Sequence, residues 1–344
     1  MSEKKLTPIS ALGEFGLINH LTQKFALQNA SSVLGVGDDA AVLDNRDGLT
    51  LVSTDMLLEA IHFDLAYTPL KHLGYKAVVV NLSDIYAMNG KPRQITVSMA
   101  LSSRFTVEAL DELYEGIEKA CAFYNVDLVG GDTTSSQKGM FLSLTAIGTV
   151  AEDKVVHRNT AQVGDIICVT GNLGGAYMGL QVLEREKSVF LDSPEMQPEL
   201  ENYQYVVGRI LKPEARRDII DLFATMEVKP TAMMDISDGL SSELFHICKQ
   251  SGVGALLQEI DVPIHQQTQD TALEMKLPPI TCALNGGEDY ELVFTMKPDD
   301  FNKIKGMLDI VAIGKIMDEN EGLFLQSMGK EKHALQAQGW QHLS

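Results

Sequence analysis

Positive charge is scarce in this chain: 28 lysines and arginines stand against 47 aspartates and glutamates, a formal net charge of −19 over 344 residues. Nucleic acid and anionic membranes both require a basic face, so neither is the main partner of a surface with this sign. Long apolar runs are missing as well. Nothing approaches the ~20 residues that cross a bilayer, and Ala77 to Val80 is a short core segment. The opening Met1-Ser2-Glu3-Lys4-Lys5 leads into polar residues rather than the apolar region of a signal peptide, which predicts a soluble, cytoplasmic protein. The four cysteines, Cys121, Cys168, Cys248 and Cys282, form no CxxC pair and have no histidine at metal-ligand spacing. They read as buried thiols suited to a reducing compartment. Ready-made phosphate loops are absent too. No G-x-x-x-x-G-K-[ST] occurs, Gly314-Lys315 being followed by Ile316, and the loop set of protein kinases is missing.

What is present is an ordinary globular composition, 45% hydrophobic and 22% charged. That suffices for a sizeable core, and the length is about twice that of a usual single domain, so two domains are expected, 1–150 and 151–344. In the first, Leu17, Ile18, Leu21 and Phe25 share one helix face, and a second helix is predicted over 70–88. Thr106 suits the N-cap of a helix reaching 124, and strands are predicted at 94–101, 126–129 and 140–150. The second half carries strand patterns at 165–170, 232–236, 254–258, 291–295, 310–316 and 322–325. Helices are predicted near 199–211, 214–224 and 240–250, the last closed by Gly252, and 187–198 reads as a surface loop. Gly171-Asn172-Leu173-Gly174-Gly175 turns into a helix. It is a weak candidate for phosphate contact and reads more often as a plain turn, because the third glycine spacing and the acidic partner of a dinucleotide loop are missing.

Carboxylates recur where strands are expected to end. The words are Gly37-Asp38-Asp39-Ala40, Ser53-Thr54-Asp55, Asn81-Leu82-Ser83-Asp84, Gly130-Gly131-Asp132-Thr133-Thr134 and Asp235-Ile236-Ser237-Asp238-Gly239. Most place Asp beside small residues that let the backbone approach a ligand. Gly286-Gly287-Glu288-Asp289-Tyr290 is similar and stands apart. Any one of these reads as a turn or cap, and Ser237 or Asp238 suits the cap of a helix starting near Leu240. Five together demand positive charge, yet few lysines or arginines lie nearby. Magnesium supplies it, as a hard cation that takes carboxylate and phosphate oxygens and keeps several waters. Bound Mg²⁺ also reverses the local field, which reconciles phosphate binding with so acidic a chain.

In this order the words resemble the AIR synthetase-like (PurM-like) ATP-binding superfamily and, within it, the thiamine-monophosphate kinase family. The resemblance rests on Gly13-Glu14-Phe15, Gly37 to Val42, Ser53 to Asp55 with His62-Phe63, and Asn81 to Asp84 with Ala87-Met88. It continues through Gly130 to Thr133, Arg158, Asp235 to Leu240 and Gly286 to Leu292, spanning nearly the whole chain. It implies a two-domain α/β fold, with an N-terminal domain that pairs with its twin in a homodimeric β-barrel and a C-terminal α/β domain, ATP lying between the two. It implies Mg²⁺ ligation by Asp39, Ser53, Thr54, Asp55, Asp84, Asp132, Asp235 and Asp238. It implies ATP contacts from Tyr114, Gly131, Asp132, Arg158 and Ser237, and thiamine monophosphate contacts from His62, Glu288 and Trp340.

Without the resemblance, His62 reads first as a satisfied core histidine, Tyr114 as core, Arg158 as a solvated charge and Glu288 as a turn residue. Trp340, alone in a polar tail, fits an aromatic lid over a cationic thiazolium ring. Only one aspartate of Gly37 to Ala40 need face a metal, so Asp38 stays outside the set. The chain departs from the family at Tyr86-Ala87-Met88-Asn89, where Ala-Ala-Met-Gly is usual. Asn is the residue best able to replace Gly at a positive φ, so the turn is expected to survive, while Tyr86 either narrows the site or sits outside it.

The implied reaction moves the γ-phosphoryl of ATP in line onto the phosphate of thiamine monophosphate, with positioning and Mg²⁺ rather than a protein base or a phosphoenzyme. Sister families fit less well. Selenophosphate synthetases carry a reactive Cys or selenocysteine near the N-terminus, whereas the first cysteine here is Cys121. Hydrogenase-maturation relatives end in a cysteine tail, which this chain lacks, and AIR synthetase matches the His62 and 286–292 words less closely. From outside the superfamily, the competing reading is a non-catalytic acidic protein that binds divalent ions.

Overall fold

Apolar residues at two periods, 3.6 for helices and 2 for strands, sort the described residues into a four-stranded and a seven-stranded sheet, each with its own helices, beside a small two-stranded one. The computed structural model describes residues 7–8, 11–36, 41–46 and 48–336. It divides into one unit of Met1–Ile85 with Gly90–Asp153 and another of Tyr86–Asn89 with Lys154–Ser344. No helix among the described residues is long and apolar enough to cross a membrane.

The first unit runs α1 (Gly13–Thr22), β1 (Ser32–Leu34), β2 (Val42–Leu43), β3 (Leu49–Leu58), α2 (Leu70–Ala87), β4 (Lys91–Leu101), α3 (Val107–Tyr124), β5 (Asp127–Ser135) and β6 (Met140–Val150). Four of its strands form a sheet in the order β3-β6-β4-β5, antiparallel except for the β4–β5 pair. Ile95, Val97 and Met99 alternate into the core, each at 2% exposure or less, as their spacing predicts. The Thr106 side chain caps α3 by accepting the Ala109 N–H, also as expected. Strand β3 lies at the sheet edge, and Val52 and Met56 on its outer face are 65% and 55% exposed. At the end of α2, Asn89 takes φ 60°, so the turn survives the loss of glycine, and Tyr86 is buried.

The second unit holds β7 (Ile166–Thr170), α4 (Gly175–Asp192), α5 (Gln204–Leu211), α6 (Arg217–Thr225), β8 (Ala232–Asp235), α7 (Leu240–Ser251) and β9 (Val253–Gln258). There follow α8 (Gln266–Glu274), α9 (Pro279–Asn285), β10 (Leu292–Met296), α10 (Pro298–Ile304), β11 (Ile310–Asp318), β12 (Leu323–Gln326) and β13 (Lys332–Ala334). The seven strands align in the order β13-β12-β9-β11-β7-β10-β8. Ile167, Val169, Leu257, Val293 and Ile313 of this sheet pack in one core with Leu240, Leu244 and Ile247 of α7.

Two expectations need correction. The segment 187–198 is not all loop, because α4 continues through Asp192 and stops just before Pro194, the first residue unable to extend it. The strand expected at 126–129 runs on to Ser135, because its glycines lie flat against β4 instead of turning the chain. All four cysteines are free and buried, in accord with the reading of bland thiols.

Candidate active site

Only one of the described acidic words ends a strand. Ser53-Thr54-Asp55 lies in the middle of β3, Asp84 on α2, and Gly131-Asp132 inside β5, whereas Asp235 is the last residue of β8. Side chains alternate along β3, so Ser53 and Thr54 face opposite ways. The Ser53 hydroxyl donates to the Asp84 carboxylate, and the Asp55 N–H donates to the side-chain oxygen of Asn81 at 3.0 Å. Helix α2 therefore brings Asp84 and Asn81 to Ser53 and Asp55. Thr54 is engaged elsewhere, donating to the Leu144 carbonyl at 2.8 Å and accepting from the Thr145 hydroxyl at 3.1 Å.

Gly131 is required by close approach. A Cβ there would lie 1.9 Å from the Val97 carbonyl oxygen, so only glycine lets β5 pair with β4 and carry the exposed Asp132 opposite Ser98. Tyr114 sits on the buried face of α3 at 7% exposure, edge-on to Phe25 at 6.2 Å, and burial pushes its phenol up to about 12. His62 is half-buried, and its Nδ1 accepts the Leu58 N–H at 3.1 Å. A neutral ring held this way carries its proton on Nε2.

In the second unit two of the words bind each other. The Glu288 N–H donates to the Ser237 carbonyl at 2.7 Å, the Tyr290 N–H to Ile236 at 2.9 Å and the Ile236 N–H to Glu291 at 2.7 Å. Residues 286–292, which stand apart in sequence, thus form one double loop with Asp235 to Asp238. Glu288 is half-buried and accepts from the Tyr290 hydroxyl at 3.3 Å. Arg158 is exposed, and its carbonyl accepts from the Ser251 hydroxyl at 3.4 Å. Asp38 and Asp39 lie outside the described residues, as does Trp340.

One residue bonded to this double loop escaped the sequence reading. Glu243, on α7, is 2% exposed and accepts the Asp238 N–H at 2.9 Å, while its other oxygen has no hydrogen-bond partner among the described residues. Burial, reinforced by the charges of Asp238 and Asp235, lifts its pKa to about 8 in spite of the Asp238 N–H. The signal was present: Glu243 falls on the face marked by Leu240, Leu244 and Ile247.

The glycine-rich turn before α4 is closed to an outside phosphate at its helix end. Asp289 accepts the N–H groups of Gly174 at 2.6 Å and Ala176 at 3.2 Å, filling the place where a helix N-terminus attracts an anion. Gly171, at φ 58°, makes room for Glu291, whose Oε1 would lie 2.1 Å from a Cβ.

Among the described residues no group of three or more His, Cys, Asp or Glu is arranged to hold a metal by itself. The donors that do gather are hydroxyl and carboxylate oxygens without sulfur. That chemistry fits Mg²⁺, which takes one or two carboxylates and completes its shell with water and substrate phosphate.

Comparison with known proteins agrees in both units. The AIR synthase related protein N-terminal domain matches residues 37–150, and the corresponding C-terminal domain matches 162–326. The thiamine-monophosphate kinase of Bacillus subtilis is 32% identical over 337 residues, covering 96% of this chain and 99% of its own length. That of Aquifex aeolicus is 33% identical, covering 97% of this chain and 99% of its own. A structure of AaThiL complexed with AMPPCP and TMP superposes with a TM-score of 0.75 at 29% identity, covering 100% of both chains. Both domains are therefore of the PurM-like type, and this chain belongs to the thiamine-monophosphate kinase family of AIR synthase related proteins.

Proposed function

We propose that this chain transfers the γ-phosphoryl group of ATP to the phosphate of thiamine monophosphate, giving thiamine diphosphate and ADP. The observation that carries the reading is full-length likeness to AaThiL, complexed with AMPPCP and TMP, in a chain that keeps the ordered acidic words. The acceptor oxygen is anionic near neutral pH, so the task is to bring two anions into line, and no protein base or phosphoenzyme is needed. Asp39, Ser53, Thr54, Asp55, Asp84, Asp132, Asp235 and Asp238 would hold Mg²⁺, which would supply the positive charge that two phosphates need beside so many carboxylates.

The protein's own residues bind and orient. Ser53 donates to Asp84, which leaves its oxygen lone pairs as acceptors or ligands. Gly131, held close against β4, joins Tyr114, Asp132, Arg158 and Ser237 in the ATP contacts. His62 contacts the second substrate. Glu288 sets a carboxylate against its cationic ring, and Trp340 covers that ring.

The N-terminal domain, 1–150, carries most of the metal and nucleotide contacts and also dimerises. The exposed Val52 and Met56 on edge strand β3 support pairing with a second copy. The reaction belongs in the cytoplasm, a placement supported by four free, buried thiols. The test is to supply ATP, Mg²⁺ and thiamine monophosphate and separate the products by chromatography. Thiamine diphosphate with stoichiometric ADP is expected. ADP formed with aminoimidazole precursors, and none with thiamine monophosphate, moves the activity to a sister family.

A further inference from the structure

Two non-glycine residues in the left-handed region flank Asp289: Glu288 at φ 69° and Tyr290 at φ 51°. Side chains beyond glycine seldom adopt this conformation, and it persists only where the surroundings over-determine it. Here they do. Asp289 has 0% exposure, and its carboxylate accepts the Gly174 and Ala176 N–H groups at 2.6 and 3.2 Å, at the N-terminus of the 18-residue α4. Those are unpaired helix-end donors at the positive pole of the helix, so the anchor is both hydrogen-bonded and charge-matched.

Side-chain and backbone contacts fix the same segment from its other sides. Arg209 Nη2 donates to the Asp289 carbonyl at 2.7 Å and lies 3.0 Å from Glu291 Oε1. Glu291 is buried and held in turn by Arg216 at 2.6 Å and by the Thr170 hydroxyl at 2.6 Å. The N–H groups of Glu288 and Tyr290 are taken by Ser237 and Ile236. With Asp289 anchored inward and its neighbours bonded to the Asp235 loop, Glu288 is held in the left-handed conformation from both sides.

We propose that Asp289, anchored in the N-terminus of α4, is the positioning residue that sets Glu288 where its carboxylate meets the cationic ring of the phosphate acceptor. This rests on the proposed thiamine monophosphate kinase reading. The helix end that other folds spend on a nucleotide phosphate is used here to shape the acceptor site.

The variants are Asp289→Asn, Glu288→Gln and the double substitution. Asparagine keeps the size of the side chain and one acceptor oxygen, so the fold is retained. Calorimetry on the full chain follows thiamine monophosphate and, separately, AMPPCP with Mg²⁺. Asp289→Asn is expected to weaken acceptor binding about tenfold while leaving AMPPCP binding within about twofold. In the double variant the loss should not exceed that of Glu288→Gln alone by more than about twofold. Equal losses for both ligands, or losses that multiply in the double variant, overturn the proposal. Amide exchange gives a reading without any ligand: Asp289→Asn should speed exchange at the Glu288 and Tyr290 N–H groups at least about tenfold relative to the β7 strand. Unchanged exchange there overturns it as well. A folded wild-type chain that does not bind thiamine monophosphate defeats the functional reading instead, and the exchange result then decides the positioning claim by itself.

Discussion

The Asp238 N–H donates to the Glu243 carboxylate at 2.9 Å, so a buried side chain of α7 holds the backbone of the loop that carries Asp235 and Asp238. Removing the acceptor leaves that N–H without its partner and opens a gap in the core. Glu243→Ala should therefore lower the free energy of unfolding by about 2–3 kcal/mol. Glu243→Gln supplies an acceptor of the same shape and replaces a carboxyl that burial already keeps largely protonated at neutral pH. It should stay within about 1 kcal/mol of the wild type. Urea unfolding of both variants checks this, and equal losses in the two would locate the contribution of Glu243 elsewhere.

The strands and their faces were legible because burial acts at every second residue: Ile95, Val97 and Met99 in β4 repeat the pattern unaided. Thr106 as a cap and Asn89 as a glycine substitute were legible because each answers to a local backbone rule. The acidic words were legible as chemistry but misplaced as loops. Glycine before Asp132 signalled a turn, when it records the approach of β5 to Val97. The bonding of residues 286–292 to the Asp235 loop could not be read, since it joins segments some fifty residues apart through backbone hydrogen bonds that leave no side-chain pattern. Glu243 was hidden for another reason: a carboxylate on an apolar helix face looks like an interruption until its partner is known.

Asp84 lies on a helix and Asp132 in a strand, both are proposed as Mg²⁺ ligands, and neither is needed to bury apolar surface. Asp84→Asn and Asp132→Asn should each lower kcat/KM by about 100-fold or more, the scale expected when an electrostatic contact to the transition state is lost. Stability should change by no more than about 1 kcal/mol. Steady-state kinetics at several Mg²⁺ concentrations, paired with thermal unfolding, test both statements. Near-normal turnover in both variants removes the metal assignment.

Gly130 and Gly131 are neighbours with opposite tolerances. A Cβ on Gly130 would meet nothing nearer than Thr96 Cγ2 at 3.7 Å, an ordinary contact, whereas on Gly131 it would lie 1.9 Å from a backbone oxygen. Gly130→Ala should change stability by less than about 1 kcal/mol, and Gly131→Ala should cost about 3 kcal/mol or more by forcing β5 away from β4. Parallel urea titrations of the pair, with activity measured alongside, distinguish them. If Gly131→Ala is the milder change, β5 does not pair with β4 in the register Val97 to Gly131.

Burial lifts the Asp289 carboxyl from its ordinary 3.8 to about 6, against the pull of Arg209 and the α4 N–H groups. Between those values the folded chain keeps a proton that the unfolded chain has released. Stability from this group is therefore highest at low pH and falls as pH rises through about 4 to 6, by up to about 3 kcal/mol, then levels off. Other carboxylates titrate in the same range, so the measurable quantity is a difference. Asp289→Asn has nothing to titrate at this position. The unfolding free energy of the wild type minus that of the variant, taken from urea curves between pH 4 and 7.5, should decline across the window and be flat above about pH 7. A difference that grows with pH would mean that the helix end and Arg209 outweigh burial, placing the folded pKa of Asp289 below its ordinary value.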